Sequence, residues 1–74
     1  MSSLANIKPR QVIKLLKNIG FKESRQTGSH LIFLDLKTGK IIVVPIHPKD
    51  LKIGVVRTII KQSGLSKKDF LEKI

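Results

Sequence analysis

The side chain best placed to move a proton is His30. It follows Gly28 and Ser29 directly, so it opens a segment that leaves a turn, with a rigid strand on one side and an open loop on the other. An imidazole takes or gives a proton near neutral pH. Arg25 and Lys22 stand on the segment that enters the turn, and their charges suit a phosphate. On residue types alone, His30 reads more readily as an ordinary surface histidine beside a turn. His47 lies between Pro45 and Pro48 and is open to the same plain reading, a loop residue that packs or bonds the backbone.

Other chemistries find little support. There are five Asp and Glu, and none stands beside another in a way that suggests an acid–base dyad. Asp69 and Glu72 read more simply as charges near a helix N-terminus. The chain has no cysteine, which removes a disulfide scaffold, a thiolate zinc site and a Cys nucleophile. Gly28, Gly39, Gly54 and Gly64 stand singly, so no glycine-rich phosphate loop is present. The two histidines lack metal-ligand spacing, and the carboxylates supply no obvious pair to complete a site. No metal and no cofactor are expected.

The elements that must position His30 follow from size and pattern. Leu, Ile, Val and Phe make up 28 of the 74 residues, well above the roughly 20% below which charged chains stay disordered. A single small domain spanning residues 1–74 is expected, with a thin core. The formal charge of +10 asks for a polyanion, whether nucleic acid, an anionic membrane surface or an acidic protein. The basic residues are spread along the chain, as on a charged face of a folded domain. The longest apolar run, residues 41–46, is far shorter than the ~20 residues of a membrane helix. Residues 1–6 lack a basic stretch followed by a long apolar one, so no signal peptide is expected, and the default is a soluble cytoplasmic protein. Three Phe and no Tyr or Trp leave no aromatic platform for stacking single-stranded bases.

Pro9 suits the first position of a helix, and Val12, Leu15, Leu16 and Ile19 recur at helical spacing, with Arg10, Gln11, Lys14, Lys17 and Asn18 on the other side. Gly20 can end that helix in a left-handed conformation. Residues 21–26 read as a polar strand, and Thr27-Gly28 as a turn. Residues 29–36 read as a second strand, residues 37–40 as a turn with Gly39 at positive φ, and residues 41–44 as a β-branched third strand. After a connection over residues 49–52, Val55, Val56, Ile59 and Ile60 mark a second helix that stops at Gly64. Ser66 reads as the N-cap of a short third helix, with Asp69 three residues later and Leu65 and Phe70 as a hydrophobic staple. The fold class is α+β, in the order α-β-β-β-α plus a short C-terminal helix. The third strand is apolar on both faces, and two helices cover one face only. Some apolar sheet surface is expected to stay open, as at a protein interface, unless the third helix folds over it.

Four blocks then carry a resemblance. Residues 25–30, Arg-Gln-Thr-Gly-Ser-His, resemble the R-Q-x-G-S-H signature of the HicA family of small mRNA interferase toxins. Residues 15–21 resemble that family's first helix running into Gly-Phe, residues 44–47 its V-P-x-H, and residues 51–66 its L-K-x-G-T-L-R-x-I-L-x-Q-A-G-L-S helix. The match runs over roughly residues 9–70, in the family's order. Ile53 stands where many members carry Pro, and Val55 where Thr is common.

The resemblance implies a fold like that of a double-stranded-RNA-binding domain, cleavage of mRNA without a metal, and a HicB-type antitoxin as protein partner. It assigns the catalytic role to His30. Metal-free cleavage uses the 2′-OH as nucleophile and needs a base, an acid and positive charge on the phosphorane. Arg25 and nearby Lys, Lys22 among them, are expected to supply charge, Gly28 close backbone approach, and Ser29 orientation of the phosphate; turn geometry alone also accounts for Gly28 and Ser29. The second proton carrier is open between His47, water and a lysine. Lys52 and Arg57 are expected to touch RNA, as part of the basic cluster that double-stranded-RNA binders carry at the second helix. With Lys49 they form only a partial version of it. The competing expectations are a non-catalytic RNA-binding module of the same fold, and a protein whose open apolar sheet is its whole function.

Overall fold

The computed structural model describes residues 4–46 and 49–74. His47 therefore lies outside the described residues. The order is α1 (Pro9–Asn18), β1 (Lys22–Thr27), β2 (His30–Leu34), β3 (Ile41–Pro45), α2 (Ile53–Ser63) and α3 (Lys67–Lys73). The strands form one antiparallel sheet in the order β1-β2-β3. This is the expected α-β-β-β-α arrangement with a short C-terminal helix. Among the described residues no helix is long and apolar enough to cross a membrane.

α1 begins with Pro9 at its first turn, where a missing N–H costs nothing. The Gln11 side chain accepts a hydrogen bond from the Lys8 N–H at 2.8 Å. The helix ends at Gly20, whose φ is +107°. The Gly20 N–H donates to the Lys17 carbonyl at 3.4 Å and the Phe21 N–H to the Leu16 carbonyl at 2.9 Å, the paired bonds of a Schellman motif. Phe21 is buried, so the strand expected from residue 21 starts one residue later, at Lys22. Phe21 belongs to the helix stop and the core.

The sheet sends one face inward. Leu31 and Phe33 on β2 stand opposite Val44 and Ile42 on β3, and all four are buried. Val12, Leu15 and Leu16 of α1, Val56, Ile59 and Ile60 of α2, and Phe70 of α3 complete this core. Leu4, Ile7 and Leu51 join it from outside the regular elements. The Leu51 N–H donates to the Ile7 carbonyl at 2.7 Å, and Lys8 pairs with Asp50 at 3.3 Å. These contacts fix the connection into α2 against the N-terminal segment. Ile53, the first residue of α2, is exposed; a Pro would lose no helix bond there.

The second strand is shorter than the apolar run suggested. Asp35 stops it. Its carboxylate accepts from the Lys37 N–H at 3.0 Å and from the Thr38 hydroxyl at 2.9 Å, and its carbonyl accepts from the Gly39 N–H at 2.7 Å. An aspartate that bonds its own following backbone competes with strand pairing. The turn thus starts at Asp35, and Leu36 is turned out to solvent. At the far end, Ser66 caps α3 by accepting from the Asp69 N–H at 3.1 Å, and Phe70 enters the core. The opposite sheet face stays open at Ile41 and Val43.

Phe70→Ala should lower stability by about 3–5 kcal/mol, visible as a large fall in the denaturant midpoint. The two hydrogen bonds to the Asp35 carboxylate hold its pKa below the ordinary aspartate value. Their contribution is present in full above that ordinary value and is lost as pH falls through the lowered one. Acidification through that window should lower the protection of the Lys37 amide relative to its intrinsic exchange rate at each pH; protection unchanged there would count against the carboxylate as its anchor.

Candidate functional site

His30 is the first residue of β2 and pairs with Thr27 on β1 and Pro45 on β3. Side chains alternate along a strand. Because Leu31 and Phe33 point into the core, His30, Ile32 and Leu34 belong to the outward face. The His30 side chain is exposed. Among the described residues it makes no hydrogen bond and no ion pair, so its ring nitrogens are free for a ligand.

The turn before it is two residues long. Gly28 has φ +57°, while Ser29 is not among the residues at positive φ. This matches a type II′ hairpin turn, which takes Gly at its first central position. The Gln26 amide nitrogen donates to the Gly28 carbonyl at 3.1 Å. The Ile46 N–H donates to the Ser29 carbonyl at 2.6 Å, which ties the turn to the end of β3. His30 thus sits on a base fixed from both neighbouring strands.

The two-residue turn sets where Arg25 points. Glu23 pairs with Phe33 and Arg25 with Ile32, so the register shifts at Ser24. Counted back from the Thr27–His30 pair, Arg25 faces Ile32 with or without the extra residue, and the extra residue instead moves Lys22 onto the outward face. Arg25 and His30 then stand as diagonal neighbours, with Cα atoms roughly 7–8 Å apart, within reach of a shared phosphate.

The other candidates separate. Lys22 shares the outward face but pairs with Leu34, four residues along β2 from His30, or roughly 13 Å at strand rise. It is not beside His30, as its place in the sequence suggested, and would meet a phosphate farther along the chain. Lys52 is the N-cap of α2. It lines a groove of about 510 Å³ with Val43, Pro45, Val55, Thr58 and Ile59, and Pro45 connects that groove to His30. Arg57 is exposed on α2 but does not line the groove. Gln26 and Pro45 were not singled out from the sequence as site residues. Gln26 stands inside the R-Q-x-G-S-H block and Pro45 inside the V-P-x-H block, which was the signal available.

Charge surrounds this site on a larger scale. The ion pairs among the described residues are Lys8–Asp50 and Lys17–Glu23, the latter at 3.7 Å. Most of the fifteen Lys and Arg therefore carry no acidic partner. Arg10, Lys14 and Lys73 share a depression between α1 and the end of α3. Among the described residues, no three His, Asp or Glu side chains cluster as metal ligands would.

Comparison with known proteins bears on the family alone. The model of the family described as the HicA toxin of bacterial toxin–antitoxin systems matches residues 9–65. No curated protein matches the chain.

At Gly28 an added Cβ would meet nothing within 4 Å, so only the positive φ resists a side chain. Gly28→Ala should cost about 1–2 kcal/mol and displace the turn. The expected readout is a modest drop in melting temperature with shifted amide resonances at Ser29 and His30. An unperturbed turn would contradict the II′ assignment.

Proposed function

The chain belongs to the HicA toxin family of toxin–antitoxin systems, and from that premise we propose that it is an endoribonuclease that cuts mRNA without a metal, uses His30 for proton transfer and is neutralised by a HicB-type antitoxin. The observation that supports this most directly is the seating of His30. It is an exposed imidazole with no partner among the described residues, fixed between Thr27 and Pro45, with Arg25 on the same face opposite Ile32.

The chemistry runs within the substrate. The 2′-oxygen attacks the adjacent phosphorus, the bond from phosphorus to the 5′-oxygen breaks, and a 2′,3′-cyclic phosphate and a 5′-hydroxyl result. One proton leaves the 2′-OH and one reaches the departing 5′-oxygen. His30 carries one of these transfers. His47, water and a lysine remain the options for the other. Arg25 offsets the charge that builds on the phosphorane, and the Gly28-Ser29 turn lets the RNA backbone come close. Lys52 and Arg57 on α2 and Lys22 at the far end of β1 bind phosphates on either side of the cut. A positioned acid–base group contributes about 10²–10⁴-fold, and an arginine aimed at the point where charge develops adds electrostatic stabilisation.

His30→Ala should lower RNA cleavage by about 10²-fold or more while its melting curve stays within about 0.5 kcal/mol of wild type, as for other exposed positions. Wild-type cleavage should persist in EDTA, and a substrate with a single 2′-deoxy at the scissile position should not be cut there. A folded His30→Ala protein that cleaves normally would overturn the assignment. RNA binding by wild type without any cleavage would mark a non-catalytic RNA-binding module instead.

A further inference from the structure

β3 is an edge strand, and its outer backbone is unpaired among the described residues. The Asp35 N–H donates to the Lys40 carbonyl at 2.9 Å and the Ile46 N–H to the Ser29 carbonyl at 2.6 Å. Both bonds lie in the register that pairs β2 with β3. Bonded and non-bonded pairs alternate along an antiparallel ladder. Ile42 and Val44 therefore bond to β2. The N–H groups of Ile41 and Val43, and the carbonyls of Ile41, Val43 and Pro45, face away from the sheet.

The two edges of this sheet are protected unequally. β1 carries Lys22, Glu23 and Arg25 along its length, the kind of charge that keeps an edge from pairing. β3 reads Ile-Ile-Val-Val-Pro with no charge, and Ile41 and Val43 are 57% and 43% exposed. Beside it runs the groove toward α2, walled by Val43, Pro45, Val55 and Ile59, with Lys52 at the helix start. A strand laid along β3 would complete the ladder and put alternate side chains into that groove.

Three occupants can be compared. A second copy of the chain also carries +10, so self-pairing brings like charges together. RNA has no strand backbone to continue the ladder, and the aliphatic groove walls give bases nothing to stack on. An acidic protein segment meets both the open backbone and the charge. The family supplies a protein partner, since it belongs to toxin–antitoxin systems.

We infer that β3 receives a fourth strand from the antitoxin partner, an extended segment whose apolar residues enter the groove and whose acidic residues meet Lys52 and the surrounding cations. Pro45 pairs with His30, so a strand that runs to the end of β3 also closes the approach to His30. The inference rests on the toxin–antitoxin membership and does not require His30 to be catalytic.

The test uses the full chain, alone and bound to a HicB-type antitoxin. Amide exchange at Ile41 and Val43 should slow tenfold or more in the complex. Val43→Lys should weaken binding at least tenfold and leave RNA cleavage at the wild-type level, whereas Val43→Thr, which keeps the β-branched shape, should bind within about threefold of wild type, as a tolerated surface change does. Edge amides that exchange as fast in the complex as in the free chain would overturn the inference, even if Val43→Lys failed to fold. Protection that instead rises with the concentration of the free chain would assign the edge to a second copy, and protection by RNA alone would assign it to substrate; either result refutes the antitoxin strand. A wild-type chain that binds antitoxin at β3 but cuts no RNA would sink the catalytic assignment and leave this inference standing.

Discussion

The burial of Leu31 and Phe33 beneath the helices is the constraint on which the rest depends. These two residues meet Val44 and Ile42 across the sheet and the apolar sides of α1 and α2 in one core. Each such side chain contributes about 1.5–3 kcal/mol on burial. A slip of one residue in β2 would expose both and turn His30, Ile32 and Leu34 inward. The register is therefore held by several kcal/mol, and His30 is held outward by its neighbours' burial, without contacts of its own. The Ser24 bulge extends the same logic to β1: one extra residue puts Lys22 and Arg25, three apart in sequence, on the same outward face.

This one-sided packing divides the surface by chemistry. Cations crowd the outer sides of the helices, where Arg10, Lys14, Lys67 and Lys68 are exposed. The open sheet face joins His30 and Arg25 at one end to Ile41 at the other, and the β3 edge adds an apolar margin. A polyanionic chain and an acidic protein would thus compete for neighbouring surfaces that meet at the His30–Pro45 pair. Competition at one shared boundary is enough to couple neutralisation to substrate exclusion without a conformational switch in the toxin.

Much of the fold was legible from short-range chemistry. Pro9, Gly20, Gly28, Gly39, Gly64 and Ser66 each act through the local backbone, and each does in the structure what its residue type suggests. The misreadings come from competition and distance. Residues 29–36 looked like one strand because the apolar run continues through Leu36, but the Asp35 carboxylate bonds the backbone after it and ends the pairing. Leu4, Ile7 and Leu51 carry no periodicity, and only the Ile7–Leu51 hydrogen bond between distant segments reveals why they are buried. Lys22 looked close to His30 because sequence distance across a hairpin does not show position along the paired strand. The groove beside Pro45 needed the packing of α2 against β3, which no window of sequence displays, whereas His30 and Arg25 were visible because one short block holds both.

The ends left on the RNA test the central claim most directly, that an exposed histidine on the open sheet face serves a cleavage in which the 2′-oxygen attacks. Mapped on products made by the wild-type chain in EDTA, the account predicts 2′,3′-cyclic phosphate on the upstream fragment and 5′-hydroxyl on the downstream one, with both ends missing when the His30→Ala chain is used. Downstream fragments bearing a 5′-phosphate, or the same cyclic ends from the His30→Ala chain, would contradict it.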